Sequence, residues 1–382
     1  MNECTKRRAV LPPLFGVALS ACLFSAALGS ISPAAAQTGL PAHSGNVSLA
    51  AQPTRSDAPV ASSADRSSSA VARIGILLPV DDPLLGRAAQ AVRQGIRQAL
   101  RAVDSTVEWV DCTYGGRLSV GAAYDKCLES EVGWIIGPLG RADVATLMAA
   151  PPARARPTLL LAPLAAPPPE PFLTLSPDLE SEAETIAQRA VTDGCRGTML
   201  LEAGGSMATR VAVAVAAWWR EASAPPLRSA ILPPRGQWQR SASEWRRAGV
   251  DCVIFAGSAR TLSELRPFLR GITVYVTTAS YEVELERMVD WTGVRIADAP
   301  LVVDNGGGQW ERYAPASLAS PTLLRLHALG VDAARLLLAA GDAGPPDRLE
   351  GAIGRLELRD RQYRRTPAVG VFRERRLVRL SP

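Results

Sequence analysis

At 382 residues, with 47% hydrophobic and 21% charged side chains, the chain exceeds one ordinary domain and can bury a core; this excludes a wholly disordered protein. The net charge of +5 is carried almost wholly by arginine. The basic runs from Arg359 to Arg365 and from Arg373 to Arg379 alternate with apolar residues, so they are expected to be solvated strand faces and not a nucleic-acid footprint. Only two histidines occur, His43 and His327, which leaves little material for a metal cluster or a histidine-based triad. Neither a metal nor a cofactor is expected.

Residues 1–36 read as an export signal: Lys6-Arg7-Arg8, an apolar run from Ala9 to about Ile31, and the small residues Ala34-Ala35-Ala36 before Gln37. Pro12-Pro13 inside the run argues for cleavage over a retained span. Leu19-Ser20-Ala21-Cys22 has the form of a lipobox, making Cys22 a candidate acylation site, yet the stretch after it stays apolar where lipoproteins turn polar. A lipidated and a soluble form both remain open, and either places the mature chain in the periplasm, anchored to the outer membrane if Cys22 is acylated. Residues 37–71 are rich in Ala, Ser, Pro and Gly and cannot bury enough surface to offset chain entropy; a flexible tether is expected.

Arg73-Ile74-Gly75-Ile76-Leu77-Leu78-Pro79 has the apolar run of a buried parallel strand, and the stripe Leu85, Ala88, Val92, Ile96, Ala99, Val103 that of an amphipathic helix. The alternation continues, with strands expected at 107–110, 134–138, 158–161, 198–202, 228–232, 252–256 and 272–277 and helices between them. This order predicts parallel sheets with helices on both faces. A closed barrel would fit the same order, but the proline-rich stretch from Pro163 to Pro171 breaks the rhythm halfway and favours two lobes. After a long helix over 321–340, short antiparallel strands are expected at 352–358, 368–372 and 377–380. A chain that crosses between lobes several times makes a hinged clamshell. The expected division is 72–176 plus 301–345 for lobe I and 177–300 plus 346–382 for lobe II.

The segments Ile74-Gly75-Ile76-Leu77-Leu78-Pro79, Gly95-Ile96-Arg97-Gln98-Ala99-Leu100 and Gly133-Trp134-Ile135-Ile136-Gly137-Pro138-Leu139 resemble the first lobe of type I periplasmic binding proteins, the group that includes leucine/isoleucine/valine receptors. Three later segments are similar to the C-terminal domain of the outer-membrane lipoprotein activators of penicillin-binding proteins. They are Gly293 to Pro300, Leu326 to Ala333 and Gly351 to Leu358. The resemblance implies two doubly wound Rossmann-like lobes, a noncatalytic binding role, and as partner an envelope protein such as a penicillin-binding protein, with regulation of peptidoglycan synthesis as its outcome. The alternative it implies is the solute receptor of an ABC importer for a small polar or amino-acid-like ligand. No nucleic-acid partner is implied, and a membrane contact only through the lipid anchor. Two features depart from the pattern. Leu139-Gly140-Arg141-Ala142 and Leu161-Ala162-Pro163-Leu164-Ala165 lack the hydroxyls with which amino-acid receptors of this superfamily hold their ligand. The helical-repeat domain that precedes the clamshell in the activators is replaced by the tether.

Ligands of doubly wound lobes sit at the carboxyl ends of the strands, which makes Asp81, Asp82, Gly140, Arg141, Ala162, Gly205, Ser206, Ser280, Tyr281 and Glu282 the cleft candidates. Arg141 suits an anionic group, and Asp81 and Asp82 a cationic one or a helix cap. Tyr281 and Trp238 suit an apolar ligand or ordinary packing. Gly204-Gly205-Ser206-Met207-Ala208 lacks the last glycine of a nucleophile elbow, and Ser206 reads as a helix cap, so no catalytic residue is assigned. Of three possible connectivities among Cys112, Cys127, Cys195 and Cys252, strand placement favours Cys112 with Cys127 and Cys195 with Cys252, one bridge per lobe.

Overall fold

The computed structural model describes residues 73–103, 105–151, 154–281, 291–316, 320–340, 344–374 and 376–381, all within one compact unit. The signal, Cys22, the tether and Glu282 lie outside the described residues.

Two sheets organise the chain. The first starts as a parallel set: β1 (Arg73–Ile76), β2 (Glu108–Asp111), β3 (Trp134–Ile136), β4 (Thr158–Leu160) and β5 (Phe172–Leu175). The second holds β6 (Thr198–Glu202), β7 (Arg228–Ile231), β8 (Cys252–Ala256), β9 (Thr273–Val276) and β10 (Arg295–Asp298), also parallel. The buried strands β1, β3, β4, β6 and β8 are near-continuous apolar runs because helices cover both faces of each sheet. In lobe I, α1 (Gly86–Ala102) and α9 (Pro321–Leu338) cover one face, and α2 (Val120–Glu129) and α3 (Arg141–Ala149) the other. In lobe II, α4 (Leu179–Thr192) and α5 (Ser206–Glu221) lie on one face, with α6 (Trp238–Arg247) and α7 (Ala259–Leu265) opposite. A short α8 (Pro300–Val303) follows β10. No helix of the described residues is long and apolar enough to cross a membrane.

The C-terminal strands depart from the expected division. β11 (Arg348–Glu350), β12 (Arg355–Arg359) and β13 (Gln362–Thr366) join the first sheet, with β13 running parallel to β5; only β14 (Ala368–Arg373) and β15 (Arg376–Arg379) extend the second. Residues 346–366 therefore sit in lobe I, where 346–382 was expected to complete lobe II. The edge of β5 was open, and β13 takes it before the chain crosses over. The sheet orders are β11-β12-β13-β5-β4-β3-β1-β2 and β15-β14-β10-β9-β8-β6-β7. The chain thus crosses between lobes after β5, after β10 and between β13 and β14. β13 reads Gln-Tyr-Arg-Arg-Thr, too polar to announce a strand, and its alternation buries Tyr363 and Arg365 while exposing Arg364. The expectation of a solvated face is corrected at Arg365, whose inward position is set by the pleat.

Helix α9 returns to lobe I through a close crossing with α1. A Cβ at Gly95 would stand 2.0 Å from the His327 carbonyl oxygen, and one at Gly330 2.0 Å from that of Val92. Only hydrogen fits at either position, so the two backbones touch. Both expected disulfides are formed, Cys112–Cys127 spanning 15 residues and Cys195–Cys252 spanning 57.

Gly95→Ala is expected to lower stability by about 1–3 kcal/mol, read as a fall in the urea midpoint at unchanged slope; an unaltered midpoint would refute the close crossing. Loop-closure entropy gives roughly 3 kcal/mol for the shorter disulfide loop and about 4 for the longer. Replacing Cys195 and Cys252 by alanine should therefore lower the midpoint more than replacing Cys112 and Cys127.

Candidate functional site

The carboxyl ends of the parallel strands face a cleft between the lobes, with a volume of about 460 Å³. Lobe I lines it with Arg141 at the start of α3, the turn 163–165 after β4, Thr174 and Ser176 at the end of β5, and β13. Lobe II contributes the first turns of α4 and Arg210 of α5. The N-terminus of α4 is capped by Asp178, which accepts from the Ser181 amide at 2.6 Å. Glu180 accepts a bidentate pair from Arg210 at 2.8 and 2.9 Å. Arg141 is exposed and makes no ion pair among the described residues, and Thr174 is 4% exposed with no partner for its hydroxyl among them. Burial pushes the Glu184 carboxyl above its ordinary range, helped by the neighbouring Asp178 and opposed by Arg364. The cleft thus offers unpaired guanidinium, carboxyl and hydroxyl groups, a set able to hold a polar ligand carrying both charges.

Beneath the cleft, buried ion pairs join the lobes. Arg365 of β13 pairs with Glu182 of α4, their side chains 2% and 4% exposed. Arg365 also donates to the Asp178 carbonyl at 2.7 Å, and Glu182 accepts from the Thr278 amide and hydroxyl at 2.9 and 2.7 Å. Burial pushes the Glu182 carboxyl up, and the Arg365 guanidinium opposes that shift. Arg325 of α9 grips Asp298 at the end of β10 through two bonds of 2.8 and 2.7 Å, with its guanidinium 5.1 Å above the Tyr281 ring. Asp332, also on α9, accepts from the Ala352 and Ile353 amides at 2.7 and 2.8 Å; burial pushes its pKa up to about 6 against these bonds.

Of the candidates read from the sequence, the cleft gathers Arg141. Gly140 is the residue before α3, at its N-cap. Asp82 accepts from the amides of Leu84 and Leu85, both at 2.8 Å, which is turn capping. Asp81 lies beside it, hydrogen-bonded through its amide to the Tyr114 carbonyl. Ala162 is buried in the lobe I core, so its side chain packs there. Ser206 is not the expected helix cap: Gly205 takes the N-cap position of α5 with no side-chain cap bond, and Ser206 is the exposed first residue of the helix. Ser280 is buried and donates to the Gly257 carbonyl. Tyr281 packs edge-on against Phe372 and under Arg325, and Trp238 donates to the Pro233 carbonyl, so both are core residues. Sequence reasoning missed Thr174, Ser176, Arg210 and the β13 residues. Thr174 and Ser176 lie in a run whose strand, β5, was not foreseen; the alternation around Tyr363 was the one available signal for β13. Cys195, Cys252 and Asp251 lie close enough to suggest a metal site, but the two thiols are consumed by the disulfide.

A family model described as "LppC putative lipoprotein" matches residues 64–231. Comparison with curated proteins finds no match. Among solved structures, the chain is similar to a putative branched-chain amino acid ABC transporter from Chromobacterium violaceum, at 29% identity and TM-score 0.68, over 78% of this chain and 99% of that one. It is also similar to the LpoA C-domain of Haemophilus influenzae, described as a regulator of PBP1A, at 18% identity and TM-score 0.67, over 81% of this chain and 100% of that one. Against full-length LpoA of the same organism the figures are 19% and 0.65, and the match covers 59% of that protein.

Arg365→Met should destabilise the chain by about 3–5 kcal/mol, because it strands Glu182 without a counter-charge, and adding Glu182→Leu should restore much of the loss. Chemical denaturation of the single and double variants checks this. Additive losses would show that the pair is not coupled.

Proposed function

With the fold of the type I periplasmic binding proteins as its frame, we propose that this chain is a noncatalytic clamshell of the cell envelope that regulates peptidoglycan synthesis by docking a penicillin-binding protein. The observation that carries the reading is the likeness to the LpoA C-domain over that domain's whole length, together with the lipoprotein family match over 64–231. The buried ion pairs suit such a role: a lobe pair joined by desolvated charges presents a preorganised surface, which reduces the ordering cost of docking. The cleft chemistry supports binding: Arg210 and Arg365 are paired with Glu180 and Glu182 and Asp178 caps α4, while Arg141 and Glu184 are left to meet a partner's polar groups. The chain works in the periplasm, held at the outer membrane by an acyl group on Cys22. A second reading, the solute receptor of an ABC importer, draws on the 29% identity with the Chromobacterium structure. It requires a small ligand that favours a closed form over an open one.

Immobilised chain is expected to retain a bifunctional penicillin-binding protein and to raise its rate of glycan polymerisation. Failure of both, with saturable binding of an amino acid by calorimetry, would transfer the assignment to the importer receptor. Radiolabelled palmitate should enter the wild-type chain in cells and not Cys22→Ser; label that persists in the variant would remove the anchor.

A further inference from the structure

A second cavity lies on the outer side of lobe I, away from the cleft, between α1 and the segment before α9. Its volume is about 320 Å³, and Gln94, Arg97, Gln98, Arg101, Pro315, Ala316 and His327 line it. Two buried polar atoms of this lining have no partner, Nε of Arg97 and Nδ1 of His327. His327 is 1% exposed. Its Nε2–H donates to the Tyr313 carbonyl at 2.8 Å, which leaves Nδ1 of the neutral ring as an acceptor facing no donor. Burial holds the imidazole pKa below its usual value, consistent with that neutral form.

Both charged residues that line the cavity are arginines, Arg97 and Arg101. Helix α1 carries Arg87, Arg93, Arg97 and Arg101 and no carboxylate, and the spacing 93, 97, 101 puts three guanidinium groups on one helical stripe beside Gln94 and Gln98. Arg97 is partly neutralised by Asp111 and lies over Trp109, 5.9 Å from its ring centroid. Arg101 is exposed and unpaired among the described residues. Gln98 is held by its bond to the Arg312 carbonyl at 2.7 Å. Water can satisfy one orphan atom, but it does not account for two guanidinium groups and an acceptor without a donor lining one cavity.

We propose that this cavity binds a small anion that also carries a hydroxyl, the chemistry shared by hydroxycarboxylates and sugar phosphates. Arg97 and Arg101 hold the anionic group, the hydroxyl donates to Nδ1 of His327, and the glutamine amides take the remaining oxygens. The site is separate from the interlobe cleft and does not depend on the function proposed above.

The chain has only two histidines, so nitrogen NMR of histidine-labelled protein reads the site directly, with His43→Gln assigning the His327 signals. D-glycerate and glycerol 3-phosphate are titrated separately, with sodium chloride as control. The expected result is a saturating shift of the His327 Nδ1 resonance with at least one anion, and the responding probe identifies the anionic group. Arg101→Met should weaken that binding by about tenfold or more, the usual worth of a charge-assisted hydrogen bond, while Arg101→Lys should keep part of it. Arg101 is exposed, so neither change threatens the fold, and circular dichroism verifies this. A His327 signal unmoved by both anions, moved as far by chloride, or moved equally in Arg101→Met overturns the proposal.

Discussion

The ion pair between Arg365 and Glu182 is the contact on which the relation of the two lobes rests. Neither charge could lie so deep alone, because an unpaired buried ion costs several kcal/mol. Each therefore requires the other to be delivered from the opposite lobe: the guanidinium by the pleat of β13, the carboxylate by the first turns of α4. Glu182 reaches further into lobe II through Thr278, and Arg365 reaches the Asp178 carbonyl that precedes α4. The same logic repeats at Arg325 and Asp298, where the end of β10 meets a helix of lobe I. Two desolvated pairs lie beside crossovers of the chain, and they tie the hinge by electrostatics as well as by covalent connection.

The cleft follows from that arrangement. Its floor is the face of β13 and the end of β5, and its walls are the α3 start and the α4 and α5 starts. The hydroxyls absent from the turns after β3 and β4 are supplied instead by Thr174 and Ser176, one strand further along the sheet. A polar cleft in this place is compatible with a ligand, but much of its charge is already committed, Arg210 to Glu180 and Arg365 to Glu182. Such a groove tolerates a partner's polar side chains as readily as a free solute, which is why the regulatory reading and the receptor reading share one architecture.

Several expectations came out of the primary structure because they rest on short-range chemistry. The apolar runs of β1, β3 and β8 announce buried parallel strands, the stripe on α1 announces its packed face, and the placement of the cysteines at strand ends and on α2 allowed the pairing to be read. The cap at Asp82 was legible for the same reason: a polar residue at a turn start serves its neighbours' amides. β13 was not legible in that way, since Gln-Tyr-Arg-Arg-Thr has a charge content that reads as solvated.

What the sequence by itself determined is therefore the alternation of strands and helices, the two-lobed class and the two disulfides, each encoded by periodicity or spacing within a few tens of residues. The tertiary structure alone decided that 346–366 close lobe I, that Arg365 points inward while Arg364 points out, and that Thr174, Arg141 and Arg210 share one cleft. These depend on contacts between residues up to about two hundred positions apart, such as Arg365 with Glu182, and no local pattern carries the energy of a partner that folding has yet to bring near.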